Sequence, residues 1–400
     1  MQKKDKSCKM KRITSLEHQY ISEVLDNEFR TSKKSIFNQR LEHAFVEKFN
    51  IGYAIAHNNG TCTMHTALAA LGVGAGDEVI VPALTMGSPT LAVLHNNSVP
   101  VFADISPDTF TLDAASVRRC ITPRTKAILS VSLYGLPPDY DALLDVCHEH
   151  NLYLIEDNAQ CFSGKYKGKL VGSFGQFASY SFQGSKHLTS GEGGMLITCD
   201  ALLAQKARQF CGLGFNGLTA TGSTLQRETL QQPDFDRHIT LGYNFKMSEL
   251  CAAVALAQVE RADELVEQKK TVAKLFHEVV KDCDFLVPQA QPEGYENVYW
   301  TYAMMLKTEH SKTDWQRFRA LFLKNGGDSF YAAWKLTYNE PFFQNVVQQD
   351  PRVWQQYQKN LCPKAEFVQP RLIQLKTNYW DLAEAEQQAE ILYKTSREFQ

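Results

Sequence analysis

Apolar residues recur at helical spacing twice near the start of the chain. Leu16, Tyr20, Ile21, Val24 and Leu25 can line one face, and Phe37, Leu41, Phe45, Val46 and Phe49 another. Residues 15–49 therefore read as an N-terminal helical arm with apolar faces that must pack on something else. The period then shortens. Residues 53–56 form a short apolar run, followed by a Gly60-Thr61 turn and a segment rich in Ala, Leu and Met up to Leu71. From there, segments with strand character (78–81, 99–103, 126–134, 152–156) alternate with segments of helical character (89–95, 114–120, 141–150). Alternation at this pitch predicts an α/β fold with a mostly parallel central sheet flanked by helices. Such sheets hold ligands beyond the carboxyl ends of their strands.

The second half opens on an alternating run, residues 177–182, that stops at small residues. Lys186 and a glycine-rich stretch through Gly194 follow, then a second apolar run at 195–197. We read this as strand, tight turn, strand. Residues 200–212 are helical in pattern. Residues 213–240 carry Gly, Thr, Gln and charge without an apolar period, which predicts a long mobile loop of the kind that covers a site. Ser248 is placed to cap a long helix running to about residue 278, with Leu250, Val254, Ala257, Ala262 and Leu265 as its buried stripe. Beyond it, 298–306 alternates, 315–324 and 383–393 are helical, and 330–334 is apolar. The implied organisation is an arm at 1–50, a large α/β domain at 51–270 and a small α+β C-terminal domain at 271–400.

Composition narrows the functional classes. The chain has 400 residues, 44% of them hydrophobic, and a formal net charge of -2. It can bury a large core, and it shows no electrostatic footprint for nucleic acid or a membrane surface. No apolar stretch is long enough to cross a bilayer. The one basic cluster, Lys3 to Arg12, lacks an apolar run behind it, so it reads as a solvated, frayed end and not a secretory signal. Ten scattered cysteines form no C-x-x-C pair and no zinc spacing. They read as reduced core residues of a cytoplasmic protein.

Three features carry chemistry. Lys186 is held between two strands. Loss of hydration there would lower its pKa and free an amine for a Schiff base; the alternative is a solvated surface lysine. Asp157 follows the strand Leu152-Tyr153-Leu154-Ile155-Glu156, where a carboxylate either caps the next segment or pairs with a cation such as a protonated ring nitrogen. Gly60-Thr61 opens a helix, which is either an ordinary capped start or an anion site. Pyridoxal phosphate accounts for all three at once: it needs an amine, an acid against its ring nitrogen and a nest for its phosphate.

In this light the sequence resembles the DegT/DnrJ/EryC1/StrS family of sugar aminotransferases. The resemblance rests on Asn59-Gly60-Thr61, on Gly76-Asp77-Glu78-Val79-Ile80-Val81-Pro82, and on Pro100-Val101-Phe102-Ala103-Asp104-Ile105. It continues in Thr122-Pro123-Arg124-Thr125-Lys126-Ala127-Ile128, Ile155-Glu156-Asp157-Asn158-Ala159-Gln160, the Ser181 to Gly194 stretch, and Gly242-Tyr243-Asn244. These blocks keep their order over about residues 50–270. The resemblance implies the pyridoxal-phosphate-dependent transferase type I fold. It implies that Lys186 forms the Schiff base with the cofactor and that Asp157 holds the pyridine nitrogen protonated. It places Gln160 near the phenolic oxygen, Gly60, Thr61 and Ser181 at the phosphate, and Cys62 and Met86 among the cofactor contacts. Met86 departs from the pattern, because the family usually stacks an aromatic residue there; a thioether can also lie against a ring. Asn244 matches a residue that reaches the phosphate of a neighbouring subunit, which implies a homodimer with shared sites.

The implied activity moves an amino group from L-glutamate, leaving 2-oxoglutarate, to a nucleotide-linked keto-sugar. The Phe182 to Lys186 segment leans toward 4-keto-6-deoxyhexoses of the perosamine type, made for surface glycans such as O-antigen. Amination at C3, a cyclitol substrate, a dehydratase and a non-catalytic sugar-nucleotide sensor are the alternatives. Lysine in place of histidine at 186 disfavours the dehydratase. Trp334, Lys335, Tyr338 and Arg371 are candidates for sugar or diphosphate contacts.

Overall fold

The computed structural model describes residues 9–30, 36–223, 227–350 and 361–399. Cys8 and most of the basic run that ends at Arg12 lie outside them. Seven strands make the main sheet: β1 (Tyr53–His57), β2 (Glu78–Pro82), β3 (Val99–Ala103), β4 (Thr125–Val131), β5 (Tyr153–Asp157), β6 (Phe177–Ser181) and β7 (Gly194–Thr198). Their order is β1-β7-β6-β5-β4-β2-β3. All neighbours pair parallel except β7, which runs antiparallel to both β1 and β6. The strands are buried along almost their whole length because helices cover both faces, and their continuous runs of Val, Ile, Leu and Ala are the consequence.

The reversal of β7 matters for the site. The carboxyl ends of β5 and β6, the carboxyl end of β1 and the amino end of β7 all meet at one edge. Register makes this concrete: Asp157 pairs with Ser179, Ser181 with Gly194, and Gly194 with His57. Two residues separate β1 from the helix Gly60–Ala70, which starts at that same edge.

The arm does pack, and its target is the alanine-rich helix Glu249–Glu260. The first helix, Ser15–Asp26, starts with a capping box between Thr14 and Glu17. Tyr20 Oη donates to Glu260 at 2.9 Å, and Glu249 accepts from the Phe37 amide at 2.7 Å. Phe37, Leu41, Phe45 and Phe49 are buried as the pattern predicts, whereas Leu25 is exposed. Ser248 caps its helix through the Cys251 amide at 3.2 Å. That helix does not run on to 278. It ends at Glu260, Arg261 leaves the helical region (φ -107, ψ 12), and a second helix spans Ala262–Val280. The break re-aims an amphipathic helix onto a second sheet, of order β8-β9-β11-β10, made of β8 (Leu286–Pro288), β9 (Thr301–Leu306), β10 (Tyr331–Ala332) and β11 (Leu372–Lys376). All four pair antiparallel.

Residues 213–240 are more structured than their composition predicts. Leu218–Thr219 and Gly222–Ser223 form a small ribbon, Arg227–Leu230 a helical turn, and Phe215 bridges to His238. Residues 224–226 of this stretch lie outside the described part. Among the described residues no helix is long and apolar enough to cross a membrane.

Candidate active site

A cleft of about 900 Å³ opens at the strand edge just described. Lys186, Asp157, Gln160, Gly60, Thr61, Cys62, Ser181 and Met86 all line it. Residues more than a hundred positions apart in sequence are thus brought together, and the type I arrangement expected from the resemblance is present.

Lys186 closes a tight turn, its N–H donating to Gln183 O at 2.9 Å, but that turn is only part of the connection between the strands. Twelve residues separate β6 from β7, and the loop is closed by Phe182 N–H donating to Gly193 O (2.8 Å) and Ser190 N–H to Phe182 O (3.0 Å). The side chain opens into the cleft, but protein crowds it on its other sides. Desolvation outweighs the attraction of Asp157 and lowers the amine from its usual range to about 8. The ammonium sits 4.8 Å from the centroid of the Trp300 ring. Amines near this pKa are partly free at neutral pH and can attack a carbonyl or accept a proton.

Asp157 ends β5 and is buried. Burial raises its pKa, while the Ala159 amide at 3.0 Å and Lys186 pull it down. A buried carboxylate with one backbone donor is a poor resting state, so a cationic ring nitrogen in the cleft would be held strongly. Its strand neighbour Glu156 points to the opposite face and accepts from the Gly172, Phe174 and Gly175 amides at 2.6, 2.8 and 2.8 Å. That network fixes which way Asp157 faces.

Asn59 caps the Gly60–Ala70 helix through the Cys62 amide at 2.8 Å. The first amides of a helix have no partner within it and favour an anion. Space is tight around this turn. A Cβ on Gly60 would sit 3.0 Å from the Ser181 Cβ, and one on Gly194 would sit 2.6 Å from the Asn59 carbonyl carbon and oxygen. Glycine at 194 lets the turn and the start of β7 close into one nest, and a side chain at 60 would have to displace Ser181. Gln160 turns its Oε1 to the Tyr134 amide at 2.8 Å, inside the fold. Lys186, Asp157 and this nest together fit pyridoxal phosphate in donor type and in placement.

Several cleft residues carry no signal in the local pattern. His65 meets Phe210 edge-on at 5.1 Å and Tyr243 and Phe245 at tilted angles at 5.2 and 5.7 Å, and burial followed by the nearby His95 pushes its pKa down to about 4. Trp300 and Trp334 stack at 5.8 Å on the other wall. Of the four candidates for sugar contact, only Trp334 reaches the cleft. Tyr338 is buried and donates to Glu366 (2.8 Å), Arg371 binds the Phe367 carbonyl (2.7 Å) and Lys335 faces solvent away from the lining. Tyr338 packs instead against Phe102 of β3, with ring centroids 5.4 Å apart. Asn244 is exposed and does not line its own chain's cleft. Among the described residues no cluster of ligating side chains could hold a metal ion, and the nine described cysteines are free.

The model of the DegT/DnrJ/EryC1/StrS aminotransferase family matches residues 11–392. The chain belongs to that family. It is therefore an aminotransferase, and pyridoxal phosphate is its cofactor. It is 33% identical over 341 residues to GDP-perosamine synthase of Escherichia coli O157:H7, covering 84% of this chain and 88% of that one. It is 38% identical over 297 residues to GDP-perosamine synthase of Caulobacter vibrioides, covering 74% and 76%. Among solved structures, the aminotransferase from Psychrobacter cryohalolentis superposes with a TM-score of 0.85 at 25% identity, over 97% of this chain and 98% of that one.

Proposed function

We propose that the enzyme transfers the amino group of L-glutamate to a ketone on a nucleotide-linked sugar, of the 4-keto-6-deoxyhexose class. The observation that carries the reading is the pairing of a depressed lysine amine with a buried carboxylate across a cleft that ends in an anion nest. The sugar class follows from the relatives, two of which bear the name GDP-perosamine synthase. Gly60, Thr61 and Ser181 would hold the cofactor phosphate, Asp157 the ring nitrogen, and Met86 one ring face. The bound cofactor supplies an electron sink for the pair released at the donor's α-carbon. Lys186 takes the α-proton from glutamate and, in the return half-reaction, delivers a proton to the carbon that becomes the amine-bearing sugar carbon. The stacked Trp300 and Trp334 offer a flat apolar wall against which a hexose ring can lie.

Asn244 would serve the phosphate in a second copy of the chain, so that a homodimer shares its sites. Its exposure, beside exposed Ile239, Leu241 and Tyr243, supports this pairing. The decisive experiment incubates the protein with glutamate and a panel of GDP-, UDP- and dTDP-linked 3-keto and 4-keto sugars and reads the products by mass spectrometry. Amination of a 4-keto-6-deoxyhexose is expected. Turnover of a 3-keto sugar or a cyclitol alone would refute the substrate class, and the absence of a visible band that borohydride bleaches would refute the site.

A further inference from the structure

The lysine loop is held from outside. Three consecutive carbonyls of the loop are each bound by a side chain from elsewhere in the chain. Arg12 donates through Nη1 to Gly184 O and through Nη2 to Lys186 O, both at 2.7 Å. Trp300 Nε1 donates to Ser185 O at 2.8 Å. Arg12 stands 174 positions before Lys186 in sequence, and its residue sits in the arm, not in the sheet that carries the loop. A basic residue that the sequence reads as part of a frayed end is in fact half-buried against the active-site loop.

Arg12 is itself fixed. Its carbonyl accepts from Gln258 Nε2 at 2.8 Å and from Arg261 Nη1 at 3.1 Å. Arg261 Nη2 also binds Lys11 O at 2.7 Å, and Gln258 bonds Glu17 at 2.5 Å. Gln258 and Arg261 lie where the long helix breaks, so the break supplies the socket for the arm. On the far side the guanidinium carbon lies 5.8 Å from the Trp380 ring. A planar fork can bind two carbonyls two residues apart, and a lysine ammonium is a point donor.

We propose that Arg12 is a positioning residue for the transamination site: its guanidinium fork fixes the Gly184 and Lys186 carbonyls and thereby the backbone from which the reactive amine projects. The proposal rests on the assignment of Lys186 as the reacting lysine. A side chain that must reach first one carbon and then another needs a rigid root, since a displacement of about 1 Å at the reacting centre can cost on the order of a hundredfold in rate. The groups that face the loop from neighbouring elements are Asp157 from β5, Lys269 from the helix Ala262–Val280, and His187 within the loop, whose ring nitrogen bonds Val298 O at 2.9 Å. None of them touches the two carbonyls that Arg12 holds. Loss of the fork therefore leaves those carbonyls without a substitute donor among these described side chains.

The test compares Arg12→Gln, Arg12→Lys and, as a control in the same arm, Tyr20→Phe, which removes only the bond to Glu260. Two readouts are taken. In cofactor-free protein, acylation of Lys186 by acetic anhydride is followed against pH by mass spectrometry. In the loaded enzyme, kcat and the KM for the keto-sugar are measured. Arg12→Gln is expected to lower kcat by about thirtyfold to a hundredfold with KM nearly unchanged. It is expected to move the Lys186 midpoint upward from about 8 by about one pH unit, because a loosened loop admits water. Arg12→Lys should recover part of both effects, and Tyr20→Phe should show neither. An Arg12→Gln enzyme with the midpoint and kcat of Tyr20→Phe would overturn the proposal. If instead the wild type shows no band that borohydride bleaches, the assignment of Lys186 fails, and that result is distinct from a normal band with an unmoved Arg12 variant.

Discussion

Replacing Glu156 by Gln tests how the site is braced from behind. Glu156 is fully buried on β5, next to Asp157. Its Oε1 accepts from the Phe174 and Gly175 amides, both at 2.8 Å, and its Oε2 from the Gly172 amide at 2.6 Å and from Asn158 Nδ2 at 3.2 Å. All four partners are donors. A glutamine has one acceptor oxygen and one donor nitrogen, so its better orientation keeps the Phe174 and Gly175 amides. Its NH2 group then faces the Gly172 N–H and the Asn158 amide. One buried backbone donor loses its acceptor, at a cost of about 1–3 kcal/mol. The two remaining bonds lose their charge assistance, which removes about 1 kcal/mol each. The sum is about 3–5 kcal/mol, against a typical total stability of about 5–15 kcal/mol. Urea unfolding of wild type and Glu156→Gln, followed by tryptophan fluorescence, measures it. The variant should also hold the cofactor more weakly, because the loop and strand that aim Asp157 are loosened. A loss of stability below about 1 kcal/mol would refute the reasoning, since it would mean the two displaced donors, Gly172 N–H and Asn158 Nδ2, find other acceptors at no cost.

Lys269 is buried beside Thr377 Oγ1 (3.4 Å) and the Trp300 carbonyl (3.5 Å), and burial followed by Arg12 lowers its amine to about 7. Between that value and the unfolded value near 10.5 the unfolded chain binds the extra proton. Stability of the cofactor-free protein should therefore rise from pH 7 to pH 9, by about 1 kcal/mol over the first unit and approaching about 1.4 kcal/mol per unit above it, from this group. Urea midpoints at pH 7, 8 and 9 should be flatter in Lys269→Met, and parallel curves would contradict the shift. Gly194→Ala pushes a methyl against the Asn59 and Gly60 backbone and should weaken cofactor binding tenfold or more, about 1.4 kcal/mol, read by absorbance titration. An unchanged affinity would show that the nest tolerates the shift. Tyr134 buries a hydroxyl that has no hydrogen-bond partner among the described residues, while its ring stacks on Trp334 at 6.1 Å. Tyr134→Phe should leave the stack intact and raise stability by up to about 1 kcal/mol in the same unfolding assay; a clear loss would reveal a partner for that oxygen.

The amino-acid sequence by itself determined the alternating strands and helices and supplied the residues proposed for the chemistry. Lys186, Asp157 and Gly60-Thr61 were legible as candidates because each stands at a recognisable local junction, and the family resemblance joins them. A strand end, a loop between strands and a helix start are written within a few neighbouring residues. Only the tertiary structure decided that β7 inserts between β1 and β6, so that Gly194 closes the nest, and that the long helix breaks at Arg261. It separated Tyr338 and Arg371 from the cleft while bringing in His65 and Trp300. It also turned Arg12 from a solvated end into a brace for the lysine loop. The physical reason is common to all of these. A hydrogen bond or ring contact between residues more than a hundred positions apart leaves no period in either segment, and exists only once the intervening core has folded to bring them within reach.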